Sequence, residues 1–165
     1  MSSLSKSMQT YHEALNKGDI QKAYRAILAF MSELRSTLEL KYPECVVSQI
    51  HQGAMDMSYF AITPKALRAR KLKIALVYLH EANRFELWLS ANNRSIQKQM
   101  IHYFNQIEDF DYRVSEFGVG IDSIVEWIVH VEPNFETKNS LKSSLELNVL
   151  RFTNNIERFL EVGNK

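Results

Sequence analysis

At 165 residues, with 45% apolar and 24% charged side chains, the chain has the size and make-up of one ordinary globular domain spanning 1–165. Two tryptophans, seven tyrosines and nine phenylalanines against five glycines and three prolines point to a packed core with few long loops, not to a disordered segment. A formal net charge of +1 gives no push toward a phosphate backbone, so nucleic acid is not an expected partner, although a local basic patch stays compatible with it.

Cys45 is the one cysteine, which rules out an intramolecular disulfide and a cysteine-rich metal site. Met1–Thr10 is polar where a signal peptide would carry an apolar core, and no run reaches the roughly 18 apolar residues of a membrane helix. A cytoplasmic protein without membrane contact is the expectation, and no cofactor is implied.

Leu4, Met8, Tyr11 and Leu15 recur at spacings that define one face of a helix. Gly18 stands where a glycine ends such a helix, and Asp19 is placed to cap the next. That second helix carries Ile20, Ala23, Tyr24, Ile27, Met31, Leu34 and Leu38 on one stripe until Pro43 stops it. Residues 46–52 and 55–63, rich in β-branched and aromatic side chains, read as two paired strands around Gly53. Thr63-Pro64 reads as the capped start of a short helix over 64–70.

Residues 72–80 and 84–90 read as a second hairpin turning at Glu81-Ala82-Asn83. With Leu79 opposite Phe85, one face becomes wholly apolar (Ala75, Val77, Leu79, Phe85, Leu87, Leu89). The other sets Ile74, Leu76, Tyr78 and His80 beside Arg84, Glu86 and Trp88. Asn92 or Asn93 caps a helix to about Glu108, and 112–117 suggests a short edge strand. Ile121, Ile124, Val125, Ile128 and Val129 are mostly β-branched but spaced as on a helix, and Ser123-Ile-Val-Glu126 fits a capping box, so the spacing predicts a helix over 121–131. A last helix runs over 137–161 with Leu141, Leu145, Val149, Phe152, Ile156, Phe159 and Leu160 inward. The expected fold is α+β: an N-terminal helical hairpin, a four- to five-stranded antiparallel sheet made of two hairpins, and C-terminal helices packed on one face.

The mixed hairpin face is the leading candidate site. Tyr78, Arg84, Glu86 and Trp88, with Asp56 and His51 nearby, would suit a ligand that is part apolar and part polar; sheets also carry such residues with no site at all. Asp56 and Glu86 with His51 or His80 form a second constellation, able in principle to hold a divalent metal or move a proton. Yet Glu86 is followed by Leu87 and Trp88, so the Glu-x-Lys of metal-dependent nucleases fails at the decisive position, and no metal site is assigned. Lys65, Arg68 and Arg70, with Lys71 and Lys73, crowd the short helix and could bind an anion, although such runs are more often a solvated face. Cys45 has no cation beside it in sequence to make it reactive.

Three stretches carry a family resemblance: Lys17-Gly-Asp-Ile-Gln-Lys-Ala-Tyr-Arg25, Gly53-Ala-Met-Asp-Met-Ser-Tyr-Phe60, and Lys71-Leu-Lys-Ile-Ala-Leu-Val77 with Arg84-Phe-Glu-Leu-Trp-Leu89. Together they resemble an uncharacterised family of small bacterial cytoplasmic proteins, a domain of unknown function, over nearly the whole chain. The resemblance implies a bacterial, single-domain α+β protein and brings no activity, substrate or catalytic residue.

Three functions compete. The first is a module binding a small molecule or a partner segment on the polar-aromatic face. The second is a metal-dependent hydrolase or nuclease-like enzyme using Asp56, Glu86 and His51 or His80. The third is a protein that self-associates through outer helix faces, marked by Tyr11, Phe30 and Trp127 exposed together.

Overall fold

The computed structural model describes residues 2–163. Helices α1 (Ser3–Lys17) and α2 (Asp19–Lys41) form the hairpin. Ser2 Oγ accepts from Ser5 N to start α1, and Gly18 ends it in the left-handed region at φ 81° with its N–H on Leu15 O. Gly18, not Asp19, also occupies the cap of α2, and Asp19 places its charge in the first turn, where the helix dipole favours it. The apolar stripe of α1 is not core: Leu4, Met8 and Tyr11 are exposed, because α1 packs on α2 and not on the sheet. The inner half of α2 does the packing, through Phe30, Met31, Leu34 and Leu38.

The sheet has seven antiparallel strands among the described residues, more than expected because three are only two residues long. They are β1 (Val46–Val47), β2 (His51–Gln52), β3 (Met57–Thr63), β4 (Leu72–Leu79), β5 (Arg84–Ala91), β6 (Arg113–Val114) and β7 (Ser123–Val131). Their order is β1-β3-β4-β5-β7-β6, with β2 also on β3. The strand expected over 46–52 breaks in two because Ser48 Oγ itself accepts from Ala61 N, a side chain replacing a carbonyl in the ladder. The short helix α3 is Lys65–Ala69; Thr63 belongs to β3, and Pro64 takes the cap position. Helix α4 (Arg94–Asn105) is capped by Asn93, whose Oδ1 accepts from Ile96 N. Helix α5 (Lys138–Val162) buries the expected stripe, with Phe159 half-buried at its edge.

Two expectations are corrected by the ladder. Tyr78, not Leu79, lies opposite Phe85, and Leu79 lies opposite Arg84. The loop is therefore four residues, His80–Asn83, with Asn83 in the left-handed region at φ 49°. One residue of slip turns β4 over. Leu72, Ile74, Leu76 and Tyr78 join Phe85, Leu87 and Leu89 in the core, while Lys73, Ala75 and Val77 share the opposite face with Glu86, Trp88 and Ser90.

Residues 123–131 are strand β7, not helix. Its pairing with β5 skips Ile124 and Val129 at two register shifts. Each bulge adds a residue and resets the alternation. The doublets Ile124-Val125 and Ile128-Val129 straddle these bulges, which is how a strand came to imitate helical spacing. The core lies between the inner sheet face and helices α2 and α5, with α3 and α4 closing its ends. No helix among the described residues is long and apolar enough to cross a membrane.

Candidate functional site

The outer face of the sheet is hollowed. A cavity of about 480 Å³ lies over β4, within the range of small-molecule sites. Its floor is Ala75 and Val77, small enough to leave room. The register sets Tyr59 opposite Val77 on one side and Trp88 opposite Ala75 on the other. Two strand spacings, roughly 9–10 Å, therefore separate the backbones beneath these two aromatic walls. His51, paired to Tyr59 across β2 and β3, tilts its ring against the phenol at 4.9 Å and thickens that wall. A second hollow of about 380 Å³ adjoins it across His51, Tyr59 and Lys73.

One end of the cavity is bordered by the Gly53–Met57 turn with Asp56. Gly53 is required there by close approach, since a Cβ would run into the Asp56 carboxylate and Met57 O. The other end holds Lys73, Ser90, Asp122 and the first turn of α4 with Asn93, Arg94 and Gln97. Buried Gln97 donates to Ile121 O at 2.8 Å and Ser123 O at 3.2 Å, tying α4 to the start of β7. Arg94 spans Gly118 O, Ile121 O and Gln97 Oε1, so its charge is held by neutral acceptors.

Arg84, Glu86 and Trp88 line up along β5 as the sequence suggests. Glu86 is only 2% exposed, and both its oxygens are engaged: Arg84 Nε donates to Oε2 at 2.8 Å and Trp88 Nε1 to Oε1 at 3.1 Å. The carboxylate does not line the cavity. It fixes the indole that does. Tyr78 is withdrawn from the site by the register: it is buried between Phe85 and Phe135, its hydroxyl donating to Asn83 Oδ1 at 2.7 Å, and burial pushes its pKa up.

Of the proposed acid-base group, His51 and Asp56 border the cavity, whereas His80 turns toward α2. Its ring stacks on Tyr24 at 5.3 Å, and its Nε2 bonds Ser58 Oγ at 2.9 Å. Burial lowers the His80 pKa, and the Asp56 charge opposes it without reversing the shift. Among the described residues no three His, Cys, Asp or Glu side chains gather where they could hold a metal.

Of the three cations at α3 and its C-cap, two are already committed: Arg68 donates to Glu44 O and Arg70 to Leu160 O. Cys45 is half-buried, and burial together with Glu44 raises its pKa, keeping the thiol protonated. Tyr11, Phe30 and Trp127 do not form one patch, for Phe30 is fully buried and Trp127 packs on Phe152 and Tyr112. Residues that sequence reasoning passed over are Tyr59, Ser90, Asn93, Arg94, Gln97 and Asp122, with Lys73 assigned to a different patch. The signal for Tyr59 was its place on the face of β3 that, by alternation, also carries Met57 and Ala61.

The molecule is thus an α+β protein whose antiparallel sheet is backed by helices on one side and excavated on the other. It belongs to the family described as a domain of unknown function, DUF7000, whose model matches residues 4–160. No curated protein and no solved structure matches the chain.

Proposed function

We propose that this protein is a binding module that takes a small molecule in the outer-face cavity, between Trp88 and the Tyr59–His51 pair. The observation that carries the reading is the cavity's construction. Two aromatic walls stand on strands either side of a floor of Ala75 and Val77, with polar groups at both ends and the Trp88 indole tethered by a buried acid. An unused sheet surface needs no buried carboxylate to hold a tryptophan in one orientation. A buried charge is costly unless it is fully paired, so such an arrangement calls for a purpose. We place the protein in the cytoplasm, where a single protonated cysteine meets no oxidative partner.

A thermal-shift screen of metabolites against the wild type and Ala75→Leu tests this directly. A compound at 100 times its Kd stabilises by about 2.7 kcal/mol, an easily read rise in Tm. Compounds that shift the wild type should fail on Ala75→Leu, whose side chain fills the floor. A screen in which every positive compound shifts both proteins equally would remove the cavity from consideration.

A further inference from the structure

Lys73 and Ser90 are directly opposed in the β4–β5 ladder and both face the cavity. Side chains so opposed stand about 5 Å apart at Cβ. Ser90 is 6% exposed, and its hydroxyl, which meets no protein partner, keeps its access to solvent at the cavity. Lys73 is half-buried and makes neither an ion pair nor a hydrogen bond among the described residues. Neither group is spent on a protein partner, and as cross-strand neighbours lining the cavity both are free to meet a ligand. The twelve-residue helix α4 begins beside them, at Asn93 and Arg94, and presents the positive end of its dipole there. Arg94 adds a positive charge that no carboxylate takes up through an ion pair.

Resting on the reading of this cavity as a ligand site, we infer that its ligand is a flat ring carrying one anionic group. The ring lies over Ala75 and Val77 between Trp88 and Tyr59, and the anion sits on Lys73 and Ser90 at the α4 end. Flat walls on two strands with a small-residue floor select a planar body, because stacking on an aromatic face tolerates any ring but not a bulky aliphatic. Asp122 borders the same end and Asp56 the other, so the lining sets two acids against the two cations Lys73 and Arg94. That balance favours one localised anionic group on Lys73 over an extended polyanion, which the two acids would repel. A nucleoside monophosphate and an aromatic carboxylate both present this chemistry.

Titration calorimetry distinguishes them, using adenosine monophosphate, adenosine, ribose 5-phosphate and indole-3-acetate as probes. Trp88 fluorescence in Trp127→Phe serves as a second readout, since Trp127 lies on the core side and otherwise contributes background. Adenosine monophosphate or indole-3-acetate should bind at least tenfold tighter than adenosine or ribose 5-phosphate. Lys73→Gln should cost the anionic probe tenfold or more and leave adenosine unchanged, and Ser90→Ala should cost it a few-fold. Whichever of the two anionic rings binds identifies the source. Measurable binding of adenosine as tight as that of its monophosphate, an unaltered affinity of the bound anionic ring in Lys73→Gln, or no binding by either anionic ring would each overturn the inference. A screening compound that stabilises the wild type but not Ala75→Leu would, in those cases, still uphold the cavity as a ligand site.

Discussion

Trp88 Nε1 donates to Glu86 Oε1 at 3.1 Å, from two residues further along the same strand, and Arg84 holds the other oxygen from two residues before. Three alternate residues of one strand thereby make a closed polar unit: base, buried acid and oriented indole. Local sequence supplies all three, but the unit has meaning only because β4 and β7 flank it and leave the indole at the rim of a cavity.

The unit's energetics follow from the burial of its acid. Arg84→Ala leaves the Glu86 carboxylate with a single donor and should cost about 2 kcal/mol, less than for a fully buried pair because Arg84 is one-third exposed. Trp88→Phe removes one neutral donor and should cost about 1 kcal/mol. Adding Glu86→Gln to Arg84→Ala should recover part of the loss, since the stranded charge is gone. Urea unfolding of the double-mutant cycle reads the coupling; strict additivity would mean that the groups do not act together.

The register makes a separate claim. Tyr78→Phe should lower stability by about 1 kcal/mol through the lost bond to Asn83, and should leave ligand affinity in the outer cavity untouched. Asn83→Ala should cost more, because it loses the same bond and also forces a Cβ-bearing residue with no side-chain compensation to hold φ 49°. A changed ligand affinity in Tyr78→Phe would place the phenol on the wrong side of the sheet for this account.

Acid should weaken the fold through His80. Burial lowers its pKa below the ordinary 6.5, so the unfolded chain takes up a proton before the folded one does. The stabilisation is complete above about pH 6.5 and is lost as pH falls from there toward the depressed folded value. His80→Gln should flatten that portion of the stability profile while keeping a donor for Ser58. Denaturant titrations at half-unit steps between pH 5 and 8 check the sign, and a wild-type profile that rises on acidification would contradict it.

Filling the cavity should be structurally mild. Ala75 is itself only 5% exposed but borders the cavity, so the added bulk of Ala75→Leu can enter it and should change stability by no more than about 1 kcal/mol, in contrast to an enlarged side chain at Leu76 or Leu87, which face the core. Chemical denaturation of the three variants separates the outer floor from the core. A loss at Ala75→Leu as large as at the core positions would show the floor to be packed.

Much of the architecture was legible one segment at a time. The helical hairpin, its stop at Gly18, the Asn93 cap and the inward stripe of α5 rest on interactions within a few residues, and a chain reveals these directly. Strand β5 was legible too, because Phe85, Leu87 and Leu89 alternate with Arg84, Glu86 and Trp88, and the two faces of the strand differ in chemistry. Strand β4 was legible as a strand but not in its facing, since Ile74, Leu76 and Tyr78 are as apolar as Ala75, Val77 and Leu79. With both faces greasy, alternation carries no sign, and the four-residue turn and the packing of α2 and α5 decided which face went in. In β7 two bulges shifted the phase of the pattern and gave it helical spacing, so only pairing with β5 settled the strand. The chain by itself therefore determined where α1, α2, α4 and α5 run, the stop at Gly18 and the polar stripe of β5. Tertiary structure alone decided that Tyr78 belongs to the core, that Ala75 and Val77 form a floor, and that Lys73 meets Ser90. Those relations depend on register between strands, and register is a property of neighbours brought together by folding, not of any one segment.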